Sequence, residues 1–262
     1  MSNVVVFGNQ KGGVGKSTLS VLYAWWLADV HRQSVCFIDL DTQANASKTL
    51  RRFDSDVASV ALFEDRSLDW SIRRAPCSMT LVRASKKLAD IELAKAEQVI
   101  PTFRSSVRRV SEQFDTVVID TPPALGLRMS AALIAATAVV CPIELEEYSI
   151  DGVTDMLKTV FGVRKRYNPR LHLAGIVLNR FNAHSARQKL AMQQLVRTYP
   201  EFVIPAVVSM RSAIPEALAQ ERAVWALPKS AARAASAELK EVFERLQVCI
   251  EGHSKAGQEA TA

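Results

Sequence analysis

Eight residues near the amino end restrict the fold more than any others in the chain: Lys11-Gly-Gly-Val-Gly-Lys16-Ser17-Thr18. Gly12, Gly13 and Gly15 let the backbone turn its N–H groups toward a single point, which suits phosphate oxygens at the start of a helix. A lysine at the end of such a loop reaches β and γ phosphates, and a hydroxyl next to it can ligate Mg²⁺. Lys16 and Ser17 stand there, with Val14 and Thr18 completing the loop. The motif requires a strand before it and a helix after it. Val4–Phe7 is an apolar run, and Leu19, Leu22, Tyr23, Trp26 and Leu27 recur at helical spacing as a buried face. The usual pattern would place its first glycine at position 10, where this chain has Gln10 followed by Lys11. The expected ligand is ATP with Mg²⁺.

Hydrolysis needs two further parts, acids near the Mg²⁺ and a group that orients the attacking water. The run Val35-Cys-Phe-Ile-Asp39-Leu-Asp41 ends a strand in two acids, and Val117-Val-Ile-Asp120-Thr-Pro-Pro123 ends another in one. Ligands of open parallel sheets bind at the carboxyl ends of the strands. Asp120 is therefore expected to hold Mg²⁺ through water and Asp39 to support the metal shell, which makes Ser17, Asp39 and Asp120 the metal set. Asp41 is expected to orient the water. An acid at a strand end often serves only as a cap or turn residue; two such ends beside this loop favour the catalytic reading.

Short β-branched runs alternate with helical patterns along the whole chain, the rhythm of βαβ units. Strands are predicted at Val4–Phe7, Val35–Asp39, Thr80–Arg83, Thr116–Asp120, Ala138–Ile143, Leu173–Asn179 and Val203–Val208, and helices from near Ser17, Lys86, Leu127, Ile150, Ser185, Ser212 and Ala231. The fold class expected is α/β: one P-loop NTPase domain over residues 1–250, with a mainly parallel twisted sheet covered by helices on both faces. Residues 251–262 are small and polar and are expected to form a disordered tail.

Of the four cysteines, Cys36, Cys77, Cys141 and Cys249, none forms a CxxC pair, and the four histidines are scattered, so neither a disulfide framework nor a structural metal is indicated. Cys36 and Cys141 read as small buried hydrophobes in a reducing compartment. The start of the chain lacks a signal peptide and no apolar run approaches the roughly 20 residues that span a bilayer, so a cytoplasmic location is expected. The net charge is +6, and no Asp or Glu occurs between Met156 and Pro200, a stretch with nine lysines and arginines. Such a stretch suits a polyanionic partner, either nucleic acid or an anionic membrane surface, more than a merely solvated face.

Taken together, KGGVGKST, DLDTQAN and VVIDTPP resemble the ParA/MinD family of deviant Walker ATPases from Val4 to about Leu246. Pro142–Gly152, Leu178-Asn-Arg180, Ile204-Pro-Ala and Arg211–Ala217 favour the ParA branch, and Ala223–Ser236 looks most like the IncC-type plasmid partition ATPases. The resemblance implies a homodimer that sandwiches ATP, with Lys11 reaching the partner's phosphates and Asn179 near the adenine. It implies non-specific DNA binding on the nucleoid, matched best by Arg211 and then by Lys229 and Arg233, and hydrolysis stimulated by a ParB-type partner. Because the loop begins at residue 10, no helix-turn-helix domain of the kind found in larger plasmid relatives is expected.

Three other readings compete. A MinD-like membrane ATPase ends in a basic amphipathic helix, whereas Leu239, Val242, Phe243 and Leu246 are expected to pack on the sheet. Relatives of the nitrogenase iron protein need cysteines at ligand spacing, and Cys141 has no such partner. ParA-like ATPases also position chemotaxis clusters or carboxysomes, and the residues do not choose among cargos.

Overall fold

The computed structural model describes residues 2–64, 79–145 and 149–259. Cys77, the Glu146–Tyr148 part of the ParA-like match and the last three residues of the expected tail lie outside the described residues.

Eight strands form one sheet: β1 (Asn3–Phe7), β2 (Val35–Asp39), β3 (Asp54–Ala58), β4 (Met79–Arg83), β5 (Thr116–Asp120), β6 (Ala138–Glu144), β7 (His172–Phe181) and β8 (Val203–Ser209). Their spatial order is β3-β4-β2-β5-β1-β6-β7-β8, and every pairing is parallel. All residues of β2 and β5 are buried, as continuous apolar runs require when helices cover both faces. Alternate residues serve the two faces: Val4 and Val6 join one core with Ile38 and Ile119, while Val5 and Phe7 join the other with Phe37 and Val118.

Among the described residues the α-helices are α1 (Lys16–Asp29), α2 (Asn45–Thr49), α3 (Ala96–Ser111), α4 (Leu127–Ala135), α5 (Ser149–Arg166), α6 (Ala186–Thr198), α7 (Ala213–Ala219) and α8 (Ser230–Glu259). The first core holds buried residues of α3, α4 and α5; the second holds those of α1, α7 and α8. Helix α1 is buried nearly all round, with Val21 and Trp25 enclosed as well as the expected stripe. Helix α8 covers the expected stripe: Phe243 packs against Tyr23 and Trp26 at ring separations of 5.4 and 5.8 Å, and Tyr23 Oη donates to Gln247 Oε1 at 2.6 Å.

Strand β3 and the short helix α2 answer to no predicted element, and two further stretches depart from the sequence expectation. The helix expected from Lys86 is a 3-10 segment, Lys86–Leu93, and the α-helix starts only at Ala96. Helix α8 passes the expected boundary at residue 250 and continues to Glu259. The extension carries Gly252 and Gly257, which disfavour helix, so it continues from the turns anchored at Ile250 rather than from its own propensity.

Candidate nucleotide-binding site

The ends of three adjacent strands meet at one level. Phe7 of β1 is paired with Asp120 of β5, and Asp120 with Asp39 of β2. Thr121, fully buried, ties two of these ends by donating its hydroxyl to Phe7 C=O at 2.8 Å. The glycine loop leaves β1 at this level and enters α1 at Lys16. Gly13 and Gly15 have φ of 78° and 91°, in the left-handed region that favours glycine. A Cβ at Gly15 would also lie 2.1 Å from Asn179 Nδ2.

Asn9 anchors the start of the loop. It is buried, donates Nδ2 to Pro142 C=O at 2.7 Å and accepts the Lys11 N–H at 2.9 Å. Gln10 donates to Thr159 Oγ1 of α5 at 3.2 Å, a bond that glycine, the usual residue at this position, could not make. Asn179 braces the far side: it is buried and donates to Val14 C=O at 2.9 Å. The resemblance implies a place for Asn179 near the adenine; in the structure it is in direct contact with the phosphate loop.

The two loop lysines differ in environment. Lys16 is buried, and its Nζ donates to Lys11 C=O at 3.0 Å. Burial lowers its pKa, opposed by the charges of Asp120 and Asp41. Lys11 is exposed.

The three acids divide in the same way. Both Asp39 oxygens are occupied: Oδ1 accepts the Asp41 N–H at 3.0 Å, and Oδ2 accepts the Ser47 N–H and hydroxyl at 2.9 and 2.6 Å. Burial lifts its pKa to about 6 against the pull of these bonds. Asp120 is fully buried, and neither carboxylate oxygen has a hydrogen-bond partner. Burial first, and then the neighbouring Asp39 charge, raise its pKa well above the carboxylate range. Ser17 and Lys16 oppose the shift without closing a hydrogen bond on either oxygen. Asp41 is half-buried and accepts the Gln43 N–H at 3.0 Å on one oxygen.

This donor set fits Mg²⁺. A buried carboxylate without a partner, beside a serine hydroxyl, offers hard oxygen ligands, and Mg²⁺ characteristically takes one or two of these together with water and phosphate. Among the described residues no group of three or more His, Cys, Asp or Glu is placed to hold a metal unaided. Cys141, buried one strand away, has its thiol pushed up to about 12 by burial and is inert as a ligand.

The DNA-contact candidates differ among themselves. Arg211 is clamped by Glu238 through Nε at 3.1 Å and Nη2 at 2.5 Å, and Lys229 is paired with Glu216. Arg233 is exposed on α8 and has no ion pair among the described residues. In the acid-free stretch, Arg164, Lys165, Arg166, Lys189 and Arg197 are likewise exposed and unpaired among the described residues. A groove of about 1230 Å³ between α3, α4 and α5 contains none of the loop residues.

Sequence reasoning did not find Asn9, Thr121 or Ser47. Their roles depend on partners that only the fold brings near; Asn9 and Pro142 are 133 residues apart.

Fold and site together define a P-loop nucleotide-binding domain. Residues 2–173 match the AAA domain family. Protein IncC of Escherichia coli is 34% identical across 91% of this chain and 68% of its own length. The cell division protein PomZ of Myxococcus xanthus is 32% identical across 84% of this chain and 70% of its own. An ATP complex of McdA from Cyanothece has the same fold, with a TM-score of 0.81 at 19% identity over 95% of this chain and 96% of that one. The chain belongs to the ParA/MinD family of P-loop ATPases.

Proposed function

We propose that this chain is a DNA partition ATPase that dimerises on ATP, binds DNA without sequence preference and hydrolyses ATP when stimulated by a ParB-type protein. The observation that carries this reading is the contrast between the loop lysines. Lys16 is buried beside its own carboxylates, whereas Lys11 is exposed at the mouth of the same loop. A loop that serves only its own subunit needs one lysine; an exposed second one suits delivery to a partner's phosphates, where a cation stabilises developing charge. Leu125, in the loop after Asp120, and Met210, at the end of β8, are 49% and 57% exposed near this edge, which supports a second copy docking there.

In this reading Lys16 and the loop N–H groups bind the phosphates, and Ser17 and Asp120 hold Mg²⁺, Asp120 through water. Bound Mg²⁺ would neutralise charge on the transferred phosphoryl group. Asp39, with both oxygens occupied, acts from behind by fixing the Asp41 N–H. Asp41 accepts a hydrogen bond from the attacking water and aligns it. Arg233 and the unpaired cations of α5 and α6 supply non-specific contacts to DNA phosphates, because only cations not already neutralised release counterions on binding. Arg211 and Lys229 would contribute after exchanging their glutamate partners.

The resemblance to PomZ favours a second reading, in which the same cycle positions a protein cargo. A membrane-bound cycle lacks such support: the apolar face of α8 is enclosed against the sheet and α1, and no described helix is long and apolar enough to cross a membrane. The test is binding to a random DNA fragment with and without ATP across a salt series, alongside ATP turnover. ATP-dependent binding that weakens steeply with salt is expected. Equal binding without nucleotide would overturn the switch.

A further inference from the structure

The peptide between Asp39 and Asp41 is gripped from both sides. Leu40 donates its N–H to Asp120 C=O at 3.0 Å, and Leu40 C=O accepts Arg128 Nη1 at 2.9 Å. Arg128, the second residue of α4, is buried, and its Nε donates to Glu92 Oε1 at 2.7 Å. Glu92 also accepts the Leu127 N–H on Oε2 at 2.6 Å, which caps α4 where its own N-cap residue, Gly126, has no side chain to do so. The approach is tight enough that a Cβ at Gly126 would lie 2.1 Å from Glu92 Oε2. One ion pair thus joins the 3-10 segment before α3, the amino end of α4 and the exit of β2.

Burying the Arg128 guanidinium against a half-buried Glu92 is unfavourable, and apolar side chains of similar volume would hold α4 on the sheet without that penalty. They could not bond the Leu40 carbonyl. Helix α4 directly follows the loop that leaves Asp120, so the Arg128 guanidinium is a direct link from that loop to the backbone carrying Asp41.

We propose that Arg128, held by Glu92, is a positioning residue that sets the Asp41 carboxylate relative to Asp120. The proposal rests on the reading of Asp41 as the group that orients the attacking water. Arg128 touches neither nucleotide nor water in this scheme; it acts through Leu40.

The test is steady-state ATP turnover by the full chain. Arg128→Met keeps the length and apolar packing but loses both bonds, and Arg128→Lys keeps the charge yet can reach only one of the two acceptors. Misplacing a reacting group by about 1 Å costs up to about a hundredfold. Arg128→Met is therefore expected to lower kcat by about ten- to a hundredfold with the KM for ATP within about twofold, and Arg128→Lys to fall between it and wild type. In an Asp41→Ala background, Arg128→Met should cause no further loss, because the group it positions is gone. Leu133→Ala, which destabilises α4 elsewhere, should leave kcat within about twofold.

Wild-type kcat in both Arg128 variants would overturn the proposal, as would an equal fractional loss in the Asp41→Ala background. A wild-type chain without ATP turnover, or Asp41→Ala with full turnover, would instead remove the reading beneath it; both are read from proteins in which Arg128 is intact.

Discussion

Asp120 places a carboxyl group where the protein offers its oxygens no hydrogen bond. With its folded pKa raised above the unfolded value, the ionised form opposes folding. Asp120→Asn keeps the shape and removes the charge, so without nucleotide or Mg²⁺ it should melt higher than wild type at neutral pH. The sign follows from linkage. The gain should vanish below the unfolded value near 3.9, where Asp120 is protonated in both states, and grow to its full size as pH rises through the folded value. Thermal melts in EDTA across pH check this, and a lower melting temperature at pH 7 would show that Asp120 is satisfied. The same variant should bind ATP with Mg²⁺ more weakly, placing stability and function in opposition at one residue. Lys16→Ala should abolish ATP binding, read by fluorescent nucleotide titration, whereas Lys11→Ala should bind ATP yet fail to form a sandwich dimer in light scattering. Gly15→Ala meets two obstacles at once, a φ of 91° and a Cβ 2.1 Å from Asn179 Nδ2. Removing the second with Asn179→Ala should therefore restore little nucleotide binding.

At the scale of elements, burial is concentrated where α8 lies over α1. Ala232, Ala235, Leu239, Val242, Phe243, Leu246 and Ile250 form one stripe, all in the second core. Phe243→Ala should cost about 3–5 kcal/mol, measured by denaturant unfolding, because the cavity it leaves beneath Tyr23 and Trp26 has little room to collapse. Its middle, Leu239 to Leu246, was legible in the sequence, as were the strands that line the site, since runs such as Val-Cys-Phe-Ile are explained only by burial on both faces. Strand β3 was not. Asp54–Ala58 has no apolar run, and it is held at the sheet edge by Ser55 Oγ donating to Leu81 C=O at 2.7 Å and by the Arg83–Asp54 ion pair at 2.9 Å. The site divides likewise: the loop and the three acids are local patterns, but the Glu92 cap on α4 depends on two segments 35 residues apart.

For the whole molecule, basic residues matter by what already neutralises them. Arg233→Glu should weaken DNA binding across all sequences and reduce the salt slope by about one for each DNA phosphate left without its cation, and Lys165→Glu with Arg166→Glu should act in the same direction. Arg211→Ala should have a smaller effect, because Glu238 already neutralises the guanidinium. Unchanged affinity in both acidic variants would move the DNA surface elsewhere. The enclosure of α1 has a mechanical consequence. The helix that carries Lys16 is locked to α8 by Tyr23, Phe243 and Gln247, whereas Pro123–Leu125, after Asp120, is exposed. In the proposed cycle the exposed loop after Asp120 is the part free to follow the nucleotide, so amide exchange at Ala124 and Leu125 should change when ATP binds while the enclosed α1 stays protected throughout.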